Sequence, residues 1–208
     1  MSDPVGNTTV HIRRCLERMN AQDAAARTEL LGHARRRLTL LAERMFSKFP
    51  LLHDREQAED VFQEAMVRLW QSLQEVGPTT VAGFMGLAAL QMRRALRDLA
   101  RRHFGRSSGG ETTGPPRPLV SGATDRSLDE QAASDTAPDE LACWSEFHVA
   151  ADKLPEPERT AFDLLYYHEL PCAEVAEIMQ VSERQVRRYW QAARFELHRM
   201  LEGYLPKL

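Results

Sequence analysis

Between Gly105 and Asp139 the chain carries a long stretch almost empty of large apolar side chains. Runs such as Ser107-Ser-Gly-Gly110, Thr112-Thr-Gly-Pro-Pro116 and Ala133-Ser-Asp-Thr-Ala-Pro138 are polar and rich in turn formers. A loop of that length inside one compact domain is rare, because ordering it costs backbone entropy without burying apolar surface. Residues 106–139 therefore read as a flexible linker, and they divide the 208-residue chain into two blocks, 10–105 and 140–205. With 43% hydrophobic residues, the blocks have enough apolar material to bury a core.

Both blocks read as helix. Strand-like alternation is absent, and Ala, Leu, Arg, Glu and Gln, all good helix formers, dominate outside the linker. A first helix is expected from about His11 to Gly32. Ala34, Leu38, Leu41, Met45 and Phe49 recur at three- and four-residue steps and draw the apolar stripe of a second, which Pro50 ends. Asp54 is the expected N-cap of a third, with Gln57 three residues on as its reciprocal partner. Its buried stripe is Ala58, Val61, Phe62, Ala65, Leu69 and Leu73, which leaves Asp60, Gln63, Glu64, Val67 and Arg68 largely on a polar, acidic outer face. Gly77-Pro78 breaks the pattern. The fourth helix, Val81 to His103, turns Phe84, Ala88, Met92, Ala95 and Leu99 inward and stacks Arg93, Arg97 and Arg101 outside. Four helices on short connections make one bundle.

The second block opens with Leu141, Trp144 and Phe147 on a helix that Leu154-Pro155 interrupts. Another helix is expected from Pro157 to His168 with Ala161, Leu164 and Leu165 inside. His168-Glu169 at its end reads as a partner of the helix dipole. Pro171 to Met179 is a short helix, Gln180-Val181 a tight turn, and Ser182, with Gln185 three on, caps a longer last helix. That is the outline of a helix-turn-helix unit. The expected fold class is all-α: two small helical domains joined by a flexible linker, the C-terminal one containing the helix-turn-helix.

The net charge of −3 would argue against a nucleic-acid protein if the charges were mixed, but they are segregated. From Val81 to Arg106 the net charge is +5, and from Val181 to Leu201 it is +3, while Ser107 to Glu140 carries −5. Two basic blocks around an acidic spacer suit two DNA-contacting modules, and equally suit solvated helix faces on either side of a solvated linker.

The last helix decides more. Val186, Trp190, Ala193 and Leu197 lie one above another and must pack inward, so Glu183, Arg184, Arg187, Arg188 and Gln191 face largely out, with Gln185 either capping or reaching DNA. Such a helix enters the major groove by its N-terminal residues. There arginine holds guanine and glutamine holds adenine by paired hydrogen bonds, and free backbone amides meet phosphate. The alternative is an ordinary helical hairpin with a solvated basic face. The arginine helix, with Arg93, Arg94, Arg97, Arg101 and Arg102 beside Asp98, is less specific: it suits DNA phosphates, RNA or an acidic partner protein. Phe84 and Phe104 near it read as packing rather than as base-stacking platforms.

Here a family likeness becomes specific. Gln57-Ala-Glu-Asp-Val-Phe-Gln-Glu-Ala-Met-Val-Arg-Leu-Trp70 resembles the acidic helix by which extracytoplasmic-function (ECF) sigma factors dock on the coiled coil of the polymerase's largest subunit. The resemblance assigns polymerase binding to Asp60, Gln63, Glu64 and Arg68, with Trp70 mainly a packing residue. Met92-Arg-Arg-Ala-Leu-Arg-Asp-Leu-Ala-Arg-Arg102 resembles the segment that reads and helps melt the minus-ten promoter element, which implies DNA contacts for Arg93, Arg94, Arg97, Asp98, Arg101 and Arg102. Leu154-Pro-Glu-Pro-Glu-Arg159 is similar to the opening of the family's C-terminal domain. Glu174-Val-Ala-Glu-Ile-Met179 with Val181, Ser182 and Val186 is similar to its helix-turn-helix, which reads the minus-thirty-five element. That implies DNA contacts for Ser182, Arg184, Gln185, Arg187, Arg188 and Gln191. Both matches occur in the family's order, over about residues 25–105 and 140–203, and the spacer is too short for the extra domain of larger sigma factors.

The implied partners are core RNA polymerase, promoter DNA and, as a candidate, an anti-sigma protein that binds the surfaces the polymerase uses. Four positions depart from the family pattern: Leu87 stands where many members carry tryptophan, Arg94 where many carry asparagine, Pro171 where serine caps, and Gln180 where glycine turns the chain.

The rival binding reading is a dimeric regulator on a palindromic site, for which no ligand-pocket signal or heptad seam speaks. An enzyme is not expected. HExxH, CxxC, GxxxxGK and GxSxG are all absent, so neither metal nor cofactor is implied. Cys15, Cys143 and Cys172 are odd in number and far apart, and read as reduced thiols, mostly small buried apolar groups. With no signal-peptide pattern and no run of about 20 apolar residues, no membrane association is expected and the chain is read as cytoplasmic.

Overall fold

The computed structural model describes residues 5–49, 52, 53, 55–104 and 142–201, all helices and tight connections. Helix α1 runs Val5–Asn20 and α2 runs Ala24–Phe46. The break between them lies at residues 21–23, not near Gly32. Asp23 N-caps α2 by accepting the Ala25 N–H at 2.9 Å, Gln22 takes a left-handed φ of 64°, and Arg18 of α1 holds Asp23 at 2.6 Å. Gly32 stays inside α2 because the stripe Leu30, Ala34, Leu38, Leu41 and Met45, all buried, runs straight through it. The helix ends at Phe46, ahead of Pro50, which lies outside the described residues.

Helix α3 spans Ala58–Glu75. Its cap is Gln57, whose backbone N–H donates to the Asp60 carboxylate at 2.7 Å; Asp54, the expected cap, lies outside the described residues. Val61, Phe62, Ala65, Leu69 and Leu73 are its buried side. Gly77 supplies a φ of +54° where α3 turns into α4 (Val81–Phe104), and the Thr80 hydroxyl accepts the Gly83 N–H at 3.0 Å to start that helix.

The second cluster consists of α5 (residues 142–152), α6 (Glu156–Phe162), α7 (Cys172–Met179) and α8 (Glu183–Met200). The expected helix from Pro157 to His168 is not uniform. It begins at Glu156 and widens into a π-helical turn over Asp163–Tyr167, where the His168 N–H reaches the Asp163 carbonyl at 3.1 Å. Asp163, Leu164 and Tyr167 are buried within that turn. Leu165, expected inside, is half-buried. The cluster is held by aromatic packing: Phe162 stacks on Trp190 at 5.7 Å and on Tyr166 at 5.0 Å, with Phe147 edge-on at 6.0 Å.

The two clusters lie against each other, and their buried apolar residues form one continuous core. Phe49, beyond the end of α2, is 1% exposed and stacks on His148 of α5 with ring centres 5.4 Å apart. Helix α4 packs on the π turn, α6 and α7.

Candidate nucleic-acid interface

Helix α7 ends in a full glycine-type cap built without glycine. Gln180 sits at φ 57°, ψ 41°, its N–H bonded back to Glu177, while the Val181 N–H reaches the Ala176 carbonyl at 3.0 Å. Leaving Cβ in the left-handed region costs about 1–2 kcal/mol, part of which the Gln180 side chain offsets by donating to the Glu177 carbonyl at 2.7 Å. Pro171 caps the other end of α7 sterically, with no side-chain hydrogen bond.

The turn delivers Ser182 as N-cap of α8, its hydroxyl accepting the Gln185 N–H at 3.2 Å. The Gln185 side chain does not complete the reciprocal cap; its oxygen accepts from Arg188 at 3.3 Å. Val186, Ala193 and Leu197 are fully buried, and Trp190 is half-buried against Phe162. Ser182, Arg184, Arg187, Arg188 and Gln191 are exposed in one row, and Gln185 is half-buried at its edge. Arg187 is tethered to Glu183 at 2.6 Å in solvent, a pair weak enough for a phosphate or base to displace. Phe195, one turn beyond Gln191, is 69% exposed; it belongs to no apolar stripe, so periodicity does not single it out.

On α3, Asp60 and Gln63 are exposed while Glu64 and Arg68 are half-buried in an ion network. Arg68 meets Glu64 at 2.5 Å and Asp98 of α4 at 2.7 Å; Arg102 of α4 also holds Glu64, and Arg101 reaches Asp98 at 3.5 Å. Residues assigned separately to polymerase and to DNA are thus one cross-linked patch. Val67, 61% exposed, and Trp70, 37% exposed under the guanidinium of Arg27, add an apolar strip to the outer side of α3. Trp70 is more exposed than Leu69 and Leu73 because the 3.6-residue period carries it off the stripe they continue.

Helix α4 divides its arginines. Arg94, Arg101 and Arg102 are exposed. Arg93 is 1% exposed, not on an outer face, because the second cluster covers that side of α4. Its Nη1 donates to Asp163 at 2.6 Å, its Nε donates to Asp152 at 2.7 Å, and its guanidinium lies over the Tyr167 ring at 5.2 Å. Arg97 reaches the same Asp152 at 3.5 Å. Burial works against the Arg93 charge, but Asp163, Tyr167 and Asp152 outweigh it and raise its pKa. Burial pushes the Asp163 carboxyl up, with Arg93 opposing. A guanidinium that stays charged at 2.6 Å needs an ionised carboxylate to balance it, so the pair stands as an ion pair.

His168 is no helix-dipole partner. It is buried, and its Nε2 lies 3.1 Å from the Met85 carbonyl of α4, so that nitrogen carries the proton of a neutral ring. Burial pushes its pKa down to about 4. His148, buried with Nδ1 2.8 Å from the Tyr167 hydroxyl, is likewise held well below the usual range by burial. Of the cysteines, Cys15 is buried, while Cys143 and Cys172 are only half-buried. Among the described residues, no group of three or more His, Cys, Asp or Glu is placed to hold a metal, and no helix is long and apolar enough to cross a membrane.

A family model for ECF sigma factors matches residues 9–203, nearly the whole chain. The chain belongs to the ECF sigma factor family. As an ECF sigma factor it binds RNA polymerase and DNA, directs the polymerase to promoters, and catalyses no reaction of its own. The match runs through both helix clusters, so the helix-turn-helix belongs to an ECF sigma factor rather than to a free-standing regulator. No curated protein matches the chain to a significant degree.

Proposed function

We propose that residues 10–105 and 140–205 are two functional domains dividing promoter and polymerase between them. The first docks on core polymerase through Asp60, Gln63, Glu64 and Arg68, with Val67 and Trp70 beside them. It presents Arg94, Arg101 and Arg102, with Asp98, to the minus-ten element, and Arg93 and Arg97 join them once the clusters part. The second reads the minus-thirty-five element in the major groove through Ser182, Arg184, Gln185, Arg187, Arg188 and Gln191.

The strongest support is the exposed row Arg184, Arg187, Arg188 and Gln191 beside a capped helix N-terminus. Each arginine or glutamine paired to the right base is worth roughly 1–3 kcal/mol of discrimination. Tethering the two contacts raises their effective concentration, so neither need be tight alone. An anti-sigma protein is a further partner in this reading, competing for the α3 and α4 surfaces.

The test is a pull-down of purified core polymerase followed by run-off transcription on genomic fragments. Asp60→Lys with Glu64→Lys is expected to abolish polymerase binding. Arg187→Ala with Arg188→Ala is expected to lose the upstream element while polymerase binding stays intact. Loss of polymerase binding in the arginine pair, or a normal complex in the lysine pair, would overturn the division.

A further inference from the structure

Toward the C-terminal end of α4 a cleft of about 350 Å³ opens between α4, α5 and the last turn of α8. Arg97 and Arg101 of α4 and Lys153, just past α5, bring three cations to it, and Glu146 is the one carboxylate among the described residues that line it. Val149 of α5, with Met200 and Leu201 at the end of α8, forms its apolar wall. The cations are not fully used. Arg97 Nη1 lies 3.5 Å from Asp152 and Arg101 Nη1 lies 3.5 Å from Asp98, against about 2.7–2.9 Å for a good charge-assisted bond. The Arg97 Nε is buried and has no hydrogen-bond partner among the described residues. Lys153 is exposed and forms no ion pair among them.

We propose that this cleft is a binding site for a small amphipathic anion, a free monocarboxylate with an unbranched alkyl tail. The carboxylate meets Arg97, Arg101 and Lys153, and the tail lies along Val149, Met200 and Leu201. A net positive lining rejects a cationic head, and a guanidinium with spare donors takes a carboxylate by paired hydrogen bonds. The apolar wall makes affinity rise with tail length, whereas an inorganic anion gains nothing from it. Small-molecule sites have this make-up, a concave apolar surface with a few convergent polar groups. Concavity favours a single free chain over a membrane surface, which takes a protruding apolar face. Bound there, the anion occupies Arg97 and Arg101, two of the arginines proposed to face DNA; the site itself does not depend on that reading.

Calorimetry on the intact chain with decanoate, kept below its micelle concentration, tests the site. Saturable binding of one equivalent is expected, weakening on the order of threefold to fourfold for each methylene removed on going to octanoate and hexanoate. Decyltrimethylammonium, with the same tail and the opposite charge, is expected not to bind. Lys153→Glu changes an exposed side chain and is expected to weaken decanoate on the order of tenfold without altering the dependence on tail length. Val149→Asn, at a half-buried position, is expected to make that dependence shallower. Should V149N lose helix content by circular dichroism, Met200→Gln, half-buried on another helix, tests the same wall.

No binding of monomeric decanoate, equal binding of the two heads, affinity independent of tail length, or full affinity in K153E would each overturn the proposal. Binding to anionic phosphatidylglycerol vesicles alone would overturn it too, and would mark a membrane-facing patch instead. None of these readings uses polymerase or DNA, whereas the division of labour is tested on both, so the two failures are told apart.

Discussion

Replacing Asp163 by asparagine keeps its shape and removes the charge that faces Arg93. Removing one partner of a buried ion pair costs about 3–5 kcal/mol, because the other charge is left without compensation away from water. Here Asp152 remains 2.7 Å from the Arg93 Nε, and asparagine still offers a carbonyl oxygen to Nη1. The expected loss is therefore about 3 kcal/mol, the low end of that range. At a urea dependence of about 2–3 kcal/mol/M, the midpoint falls by about 1–1.5 M. If the clusters part to rehydrate Arg93 before the helices melt, the loss appears instead as an early step in the fluorescence of Trp144, which sits on the seam against Phe49. The control is Glu196→Gln, which breaks a pair of similar length, 2.7 Å, whose arginine is 68% exposed. There solvent already screens both charges and no measurable shift is expected. A D163N midpoint no lower than that of E196Q would refute the view that burial, rather than distance, makes the Arg93 pair matter.

The neutral, buried His168 makes stability fall in acid. Its folded pKa of about 4 lies below the ordinary value near 6.5, so the contribution is complete above about pH 6.5 and is lost as pH falls toward 4. Urea midpoints of wild type and His168→Gln, whose amide keeps a donor for Met85, should converge by about 2–3 kcal/mol between pH 7 and pH 4.5; a constant difference would count against a neutral ring. At the helix-turn-helix corner, Gln180→Gly should unfold at higher urea than Gln180→Ala by the equivalent of about 1 kcal/mol, because only glycine relieves the left-handed backbone. Equal midpoints would mean that the corner is not left-handed in solution.

Local chemistry made much of this protein legible from its residues alone. The stripes of α3 and α4, the turn at Gly77, the Ser182 cap and the inward column Val186, Ala193 and Leu197 depend on neighbours three or four residues away. Periodicity and capping preferences record such relations directly. Gly32 looked like a helix end, but an unbroken stripe and the Asp23 cap moved the boundary.

The fate of Arg93 lay beyond any local pattern. A helical period tells which side of α4 faces its own bundle; it carries no information about a second cluster, distant in sequence, that covers the opposite side. The same reason hid the burial of Asp163 against Arg93 of α4, and the neutrality of His168, which depends on the Met85 carbonyl of α4. Helices and caps were determined by the sequence within a few turns of chain, while the choice of which arginines meet solvent and which meet carboxylates was made only by tertiary packing, because burial is a property of what lies across the gap.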